Sequence, residues 1–290
     1  MPRMLLLPAW RRAGHVFRTW RSSIIKYALN CGYALRNMHF PFDCCLCREP
    51  DSGGSLCTAC QVLLPQNRSS CQYCALPESI CGPLTELATT SHVITICSSC
   101  ACANAVAYRR ATVPFSYGFP VDYMIGQFKY AGDMTFARVF GEQLAYVLDH
   151  QIAQLDEPPE VVVPVPLTLQ RLQERGFNQS FELSRVVSGI CGLPIRSDVL
   201  ARHGTLTDRA LPDQRVRSRA VRLRSNSHGY FCRRALTERV LVIDDVMTTG
   251  ATLEAIAALL IENGARSVDV AAVARAYPTK AGSRITSSSV

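Results

Sequence analysis

Apolar residues recur along the chain in two alternating rhythms. Short continuous apolar runs are typical of strands buried on both faces of a parallel sheet, and stretches with an apolar residue every three or four positions are typical of amphipathic helices. The runs are VVVPVP (161–166), RVLVI (239–243) and SVDVAAVA (267–274), and ATVPFSYG (111–118) has the composition of a further strand.

Helical periodicity fills the spaces between these runs. One predicted helix collects Phe136, Val139, Phe140, Leu144, Val147 and Leu148 on one face. A second extends over 180–190, with an apolar face formed by Phe181, Leu183, Val186, Val187 and Ile190. A third extends over 252–263, with Gly264 placed to end it. Strands that alternate with helices predict an α/β fold with a parallel sheet, whose functional site lies at the carboxyl ends of the strands.

The first forty-two residues follow a separate pattern. They contain seven basic residues and no acidic one, and the spacing of Phe17, Trp20, Ile24, Tyr27, Cys31, Leu35 and Met38 predicts an amphipathic helix. Two interpretations stay open: an arm that contacts an anionic membrane surface or nucleic acid, and a frayed extension or a start codon placed too far upstream.

Composition limits the class of protein. The 290 residues are 48% hydrophobic and 19% charged, as in ordinary globular proteins, and the net charge of +8 suits anionic partners. No apolar run reaches 18 residues, and MLLLPAW (4–10) is too short for a secretory signal. We therefore expect no transmembrane segment and a cytoplasmic location.

Eleven of the fourteen cysteines lie between Cys44 and Cys102, most of them in C-x-x-C pairs. A disulfide framework is the alternative, but without an export signal thiolates that hold a metal are the better interpretation. Two pairs complete a tetrahedral site, so we expect one or two structural zinc ions, held either by neighbouring or by interleaved pairs. Cys45, Cys81 and Cys102 lie near enough to replace a ligand. The predicted ligands are Cys44, Cys47, Cys57, Cys60, Cys71, Cys74, Cys97 and Cys100.

The stretch VLVIDDVMTTGATLEAI (240–256) carries candidate chemistry. We expect the strand to end after Ile243 and the small residues Thr248, Thr249, Gly250, Ala251 and Thr252 to form a turn that binds a phosphate at a helix N-terminus. Asp244 and Asp245 would repel a phosphate and suit ribose hydroxyls instead. The alternative is a simple turn capped by exposed acids.

Three segments resemble one known family. VLVIDDVMTTGAT is similar to the phosphoribosyl pyrophosphate (PRPP) motif of type I phosphoribosyltransferases. VPVPLTLQRLQERGFNQS (163–180), QFKYAGD (127–133) and the cysteine pairs resemble the ComF/GntX family of competence and DNA-utilisation proteins. The resemblance covers roughly residues 44–275.

The resemblance implies a type I phosphoribosyltransferase fold over 105–278 behind a zinc-ribbon module over 43–104, with the basic extension over 1–42 and a disordered tail over 279–290. It implies that Asp244 and Asp245 hold the ribose of PRPP, that residues 248–252 hold its 5′-phosphate, and that Mg²⁺ accompanies the pyrophosphate. Arg171 and Arg175 would face the pyrophosphate, unless they belong to a solvated helix face. The same corner would be shaped by Gly176, Asn178 and Gln179.

One segment departs from the family pattern. Between Arg202 and Arg234 lie nine arginines, and Asp208 stands where the family carries a glutamine, although Thr205 and Leu211 fit. This segment is either a solvated hood over the ligand or a contact to a nucleic-acid backbone. Thr248 also replaces the aspartate of purine-salvage relatives, and no general base is evident.

Three functions remain open. The chain is a phosphoribosyltransferase with an unknown acceptor, a non-enzymatic DNA-uptake or DNA-utilisation factor that senses PRPP and docks a helicase, or a zinc-ribbon binder of single-stranded DNA with a vestigial PRPP site. Fold and motif together do not choose between them.

Overall fold

The computed structural model describes residues 42–51, 55–88, 93–102, 106–203 and 229–277. The predicted helix over 17–38 and the hood positions Thr205, Asp208 and Leu211 lie outside the described residues. The chain divides into a small compact unit, which includes residues 48–57, and a large one, which includes everything from Thr58 onward.

The small unit is built on one antiparallel pair. Strand β1 (Phe42–Asp43) pairs with β2 (Pro50–Asp51). The turn between them closes through hydrogen bonds from the Cys44 N–H to the Glu49 carbonyl and from the Arg48 N–H to the Cys44 carbonyl, each 2.8 Å long.

The large unit begins with short elements around the later cysteines. Helix α1 is Thr58–Leu63 and α2 is Glu78–Cys81; β3 (Leu84–Ala88) pairs antiparallel with β4 (Val93–Cys97), and α3 (Ser98–Cys102) follows directly.

A parallel sheet forms the body of the large unit, which confirms the predicted α/β class. Its strands are β5 (Ala111–Thr112), β6 (Phe115–Ser116), β7 (Val161–Pro164), β10 (Arg239–Met247) and β11 (Ser267–Arg275). The order is β5–β11–β10–β7, and β6 also pairs with β11. The ATVPFSYG run thus forms two short strands rather than one.

Helices fill the connections. They are α4 (Val121–Gly126), followed by a π-helical turn (Gln127–Ala131), then α5 (Met134–Ile152), α6 (Leu169–Arg175), α7 (Gln179–Cys191) and α8 (Ala251–Glu262). An antiparallel pair, β8 (Leu200–Arg202) and β9 (Tyr230–Cys232), flanks the arginine-rich segment.

Two predictions on these elements need correction. Strand β10 does not end after Ile243 but continues through Met247, because β11 pairs with it as far as Arg275. Ile190 does not join the buried face of α7, since it is 51% exposed. That face consists instead of Gln179, Ser180, Leu183, Ser184 and Val187.

Helices α5 and α7 approach each other closely at Gly141. A Cβ placed there would stand 2.5 Å from the Cβ of Val186, so only glycine permits this packing. The contact holds α7, whose N-terminus faces the site, against the longest helix of the sheet's flank.

The second half of the cysteine-rich segment is continuous with the sheet. Ala75, which is 1% exposed, belongs to the same hydrophobic core as Tyr108 and Val242. The Ala111 N–H donates to the Gln72 carbonyl over 2.6 Å. Residues that the sequence assigned to a separate module therefore pack directly on the strands.

Across the described parts of the chain, no helix combines the length and the apolar character needed to cross a membrane.

Candidate functional site

A cavity of about 520 Å³ opens at the carboxyl ends of β7, β10 and β11. This is the position expected for the site of a parallel α/β sheet. The lining combines acidic, basic and hydroxyl side chains and consists of Tyr117, Lys129, Val165, Pro166, Leu167, Arg171, Arg175, Arg202, Tyr230, Asp244, Asp245, Val246, Thr248, Thr252 and Ala276.

The two predicted carboxylates occupy the part of β10 that extends beyond β7. Register pairs Ile243 with Pro164, the last residue of β7, so Asp244 and Asp245 have a strand neighbour on one side only. Ser180 donates its hydroxyl to Asp244 Oδ1 over 3.0 Å, and the Asp245 N–H donates to the same oxygen over 2.9 Å.

Burial and the charge of Asp245 raise the pKa of the Asp244 carboxyl to about 6, against the hydrogen bonds and the charge of Lys129. Two adjacent carboxylates in a partly buried site repel each other, and one of them holds its proton more tightly as a result. Asp244 therefore changes its charge close to physiological pH.

Lys129 neutralises the second carboxylate. Its Nζ lies 3.0 Å from Asp245 Oδ2, and the two side chains are 18% and 14% exposed. Lys129 belongs to the π-helical turn, which ends at Gly132 in the left-handed conformation. The sequence places Lys129 in the QFKYAGD segment but indicates no role for it, because no neighbouring residue shows that its side chain faces β10.

The predicted anion loop follows Met247. Thr248 and Thr252 line the cavity, and Thr249 accepts the Ala251 N–H with its hydroxyl over 3.3 Å. Gly250 begins α8 with a φ of 83°, a conformation that side chains rarely adopt.

The predicted pyrophosphate side places two arginines in the cavity wall. Helix α6 begins after Thr168, whose hydroxyl accepts the Arg171 N–H, and ends at Gly176 with a φ of 77°. Arg175 donates to Gln179 Oε1 over 3.0 Å and lies 5.4 Å above the Tyr130 ring. Arg171 and Arg175 thus both line the cavity, although Arg171 is also exposed to solvent.

The neighbouring positions shape this corner without lining the cavity. Asn178 donates to the Val165 carbonyl over 3.0 Å and accepts the Ser180 N–H over 3.0 Å, which caps α7. Gln179 is fully buried beside Arg175. Gln179 thus orients Arg175, and Asn178 fixes the backbone at Ser180.

Further lining residues escaped the sequence analysis. Tyr117 follows β6, and Arg202 of β8 lies 4.9 Å above the ring of Tyr230 on β9. Strands β8 and β9 are three residues each, too short for a periodic signal. Only their pairing across a long segment brings them to the cavity.

The eight predicted metal ligands form two groups: Cys44, Cys47, Cys57 and Cys60, and Cys71, Cys74, Cys97 and Cys100. In each group the Sγ atoms all lie within 4.8 Å of one another. Each pair of C-x-x-C motifs contributes to one group in chain order, so the interleaved pairing is excluded. Cys81 stays outside both groups and hydrogen-bonds to the Leu76 carbonyl over 3.4 Å.

The second group has the geometry of a thiolate metal site. Cys74 Sγ and Cys97 Sγ are 3.9 Å apart, near the spacing of about 3.8 Å that tetrahedral Zn–S bonds of about 2.3 Å require and far beyond a disulfide bond. The backbone N–H groups of Tyr73 and Cys97 both donate to Cys71 Sγ over 3.4 Å.

The thiols of this group resist joint ionisation. Burial, with the charge of Cys71 next, raises the pKa of Cys100 to about 12, and the hydrogen bond to Cys71 raises the pKa of Cys74. A cation at the centre removes this repulsion and allows four thiolates. The cysteine groups can therefore each hold a metal such as zinc.

Comparison with known proteins places the chain among named relatives. The family model described as phosphoribosyl transferase domain matches residues 235–286. The DNA utilization protein YhgH of Escherichia coli O157:H7 is 29% identical over 231 residues, which cover 78% of this chain and 94% of that protein. Competence protein F of Haemophilus influenzae is 29% identical over 243 residues, covering 82% and 98%.

A third relative is competence protein ComFC of Streptococcus pneumoniae, 26% identical over 252 residues, which cover 85% of this chain and 99% of the relative. Among solved structures, the glutamine PRPP amidotransferase of B. subtilis aligns with a TM-score of 0.31 and 22% identity over 47% of this chain and 26% of that one. Over most of its length the chain is thus similar to the competence and DNA-utilization proteins of the ComF family, and it carries a domain of the type I phosphoribosyltransferase fold, a parallel sheet flanked by helices.

Proposed function

We propose that the chain binds PRPP together with Mg²⁺ in the cavity at the carboxyl ends of the sheet. The observation that carries the proposal is the lining: two carboxylates and the basic side chains of Lys129, Arg171, Arg175 and Arg202 face one space. A ligand that carries both vicinal hydroxyls and phosphate groups complements this lining, because the hydroxyls donate to the carboxylates and the phosphates pair with the basic side chains. The carboxylates would repel a ligand that carries only anionic groups.

Each part of the ligand has a matching set of residues. The ribose hydroxyls donate to Asp244 and Asp245, and the 5′-phosphate lies against residues 248–252 at the start of α8, where the positive end of the helix dipole favours an anion. Arg171 and Arg175 contact the pyrophosphate through charge-assisted bonds. Bound Mg²⁺ would neutralise pyrophosphate charge and coordinate ribose oxygens.

Lys129 keeps the acid pair ready for this ligand. Without a cation beside it, Asp245 would raise the pKa of Asp244 further and hold the site protonated. We infer that Lys129 pairs with Asp245 while Ser180 orients Asp244 towards the cavity.

Binding is proposed here, and transfer to an acceptor is a separate step. Displacement of pyrophosphate from the anomeric carbon needs an acceptor nucleophile, and Thr248 supplies no base near neutral pH. A screen for pyrophosphate release with candidate acceptors distinguishes a transferase from a PRPP-binding factor.

The relatives favour a role in DNA uptake or in the use of DNA as a nutrient. The relatives are named DNA utilization protein and competence protein. They come from three organisms, and their similarity covers most of this chain. We propose the same role here, with single-stranded DNA and an uptake helicase as partners. The arginines of the segment between β8 and β9 are the candidates for DNA contact.

We also propose that zinc fills the two cysteine groups and acts structurally. Four thiolates leave no open position for a substrate, so the metal stabilises the fold of the cysteine-rich segment. The location in the cytoplasm and peripheral contact of residues 1–42 with a membrane remain proposals of the same kind.

Asp245→Asn should weaken PRPP binding about ten- to a hundredfold in the presence of Mg²⁺, because charge-assisted hydrogen bonds contribute roughly 1.5–3 kcal/mol. Calorimetry measures the dissociation constant. Asp149→Asn, on the exposed side of α5, is the matched control and should bind as the wild type does.

Gly250→Val tests the loop separately and should also weaken binding, since its φ of 83° excludes a β-branched residue. Equal binding by wild type and both site variants would contradict the proposal.

PRPP affinity should rise as the pH increases through about 6, because Asp244 must lose its proton before it accepts the ribose hydroxyls. Ser180→Ala removes a hydrogen bond that favours the carboxylate, so the midpoint of the affinity profile should move to higher pH. Ser184→Ala is the control, since this equally buried serine donates to the Ser180 carbonyl instead. The ligand's own ionisation is common to all three proteins, so identical midpoints would show that Asp244 does not govern binding.

The purified chain should contain two zinc ions by metal analysis, and Cys74→Ser should lose one of them because a tetrahedral site is left with three thiolates. Cys81→Ser should retain both, since Cys81 lies outside the groups. Zinc-free wild-type protein, prepared without chelator, would rule the proposal out.

Single-stranded DNA binding should weaken steeply with salt if the arginine-rich segment tracks phosphates, because each contact releases counterions. Replacing Arg215, Arg217 and Arg219 together by glutamine should lower the slope of log K against log salt by about 2, given about 0.7 per phosphate on single strands. Arg138→Gln, Arg185→Gln and Arg266→Gln together, which change three surface ion pairs, control for net charge. The same slope in the triple variant and the control would remove this segment from the DNA interface.

A further inference from the structure

Arg275, the last residue of β11, is a buried cation with an unusual set of partners. It is 5% exposed, and its Nε donates to the Cys74 carbonyl over 2.6 Å. Its Nη1 donates to the Met247 carbonyl over 3.2 Å and also to the carbonyls of Thr248 and Ala276. Every one of these partners is a backbone oxygen.

The partners belong to two different sites. Cys74 is a ligand of the second cysteine group, within the turn that its pair with Cys71 forms. Met247 ends β10, and Thr248 begins the anion loop and lines the cavity. One guanidinium therefore holds the metal turn and the anion loop at the same time.

The contact with Thr248 sets the direction of a peptide plane. In a trans peptide the C=O and the following N–H point in opposite directions. When the Thr248 carbonyl faces Arg275, the Thr249 N–H faces away from it. The same holds one residue earlier, where Arg275 and the Ala276 N–H both bind the Met247 carbonyl and turn the Thr248 N–H outward. Successive N–H groups held in this way bind anions.

A second contact supports the same connection. The Tyr108 hydroxyl donates to the Tyr73 carbonyl, inside the metal turn, over 2.9 Å. That hydroxyl lies 4.0 Å from the point where a Cβ on Gly250 would stand. Ala75, Tyr108 and Met247 share one buried core, so a shift of the metal turn displaces the packing beneath the loop.

We propose that Arg275 is a positioning residue that couples metal occupancy of the second cysteine group to phosphate binding at the anion loop. This proposal rests on the proposed PRPP function and assigns that site a control by the metal. With the metal bound, the Cys71–Cys74 turn is fixed, the Cys74 carbonyl anchors Arg275, and the loop presents its N–H groups. Without the metal, the turn relaxes and the loop loses its support.

The coupling works in both directions. If the metal raises the affinity for PRPP by some factor, PRPP raises the affinity for the metal by the same factor. Loss or oxidation of the cysteine site would then lower PRPP binding without any change in the cavity's own residues.

The experiment measures zinc affinity by equilibrium competition with a chromogenic chelator, with and without Mg²⁺-PRPP at a concentration that saturates each protein as determined by calorimetry. In the wild type, PRPP should raise the affinity of at least one zinc site by about fivefold or more, the lower end of usual coupling between sites. In Arg275→Lys, which keeps the charge but cannot reach both sites with a planar fork, the effect of PRPP should fall below about twofold. Arg266→Gln, near the start of the same strand and 55% exposed at its side chain, should behave as the wild type.

The zinc affinity without PRPP serves as the structural control, because general destabilisation lowers that affinity whether or not PRPP is present. Wild-type protein that binds PRPP but holds zinc with an unchanged affinity would overturn the coupling and leave the proposed function standing. A retained effect of PRPP in Arg275→Lys would remove Arg275 from the coupling. Failure of the wild type to bind PRPP at all would overturn the proposed function and the coupling with it. The wild-type comparison needs no variant, so it decides the question even if Arg275→Lys does not fold.

Discussion

The repulsion between two neighbouring carboxylates at the end of a buried strand organises this site. Asp244 and Asp245 stand where β10 leaves the cover of β7, partly withdrawn from water. Two such charges are costly unless other groups offset them. The structure supplies Lys129 for Asp245, and it supplies the Ser180 hydroxyl and a backbone N–H for Asp244. These contacts hold the start of helix α7, the π-helical turn and β10 together around the two carboxylates.

The unequal lengths of β7 and β10 determine where in the sheet the two carboxylates lie. β7 ends at Pro164, and β10 continues to Met247 because β11 pairs with it that far. The step between the two strand ends leaves an open edge above Pro164. The segment from Val165 to Arg175, which follows β7, forms one wall of this opening, and the anion loop after Met247 forms another. The cavity, with the two carboxylates at its base, therefore exists because β10 is longer than its neighbour β7.

Local patterns in the sequence predicted the parallel sheet, the acid pair, the turn at Gly250 and both cysteine groups, because each depends on residues close together in the chain. The continuation of β10 escaped prediction, since its cause is β11, which follows more than twenty residues later. Lys129 escaped for the same reason: its partner Asp245 lies in a distant strand. The buried face of α7 was also not predicted. It includes three polar residues, while the apolar Ile190 is exposed, which contradicts the simple rule that helices bury their apolar residues.

The buried polar residues of α7 lower the stability of the fold but support the site. Ser180, Ser184 and Gln179 are almost fully buried, where apolar side chains would add stability. The Ser184 hydroxyl binds the Ser180 carbonyl, the Ser180 hydroxyl binds Asp244, and Gln179 accepts from Arg175. Each buried polar group thus either orients a cavity residue or holds one that does. Gly141 lets α5 press α7 against the strands at close range, so these short hydrogen bonds form with little freedom left in the helix. The stability of the apolar helix packing is what keeps a charged, otherwise unfavourable strand end in a geometry suited to a ligand.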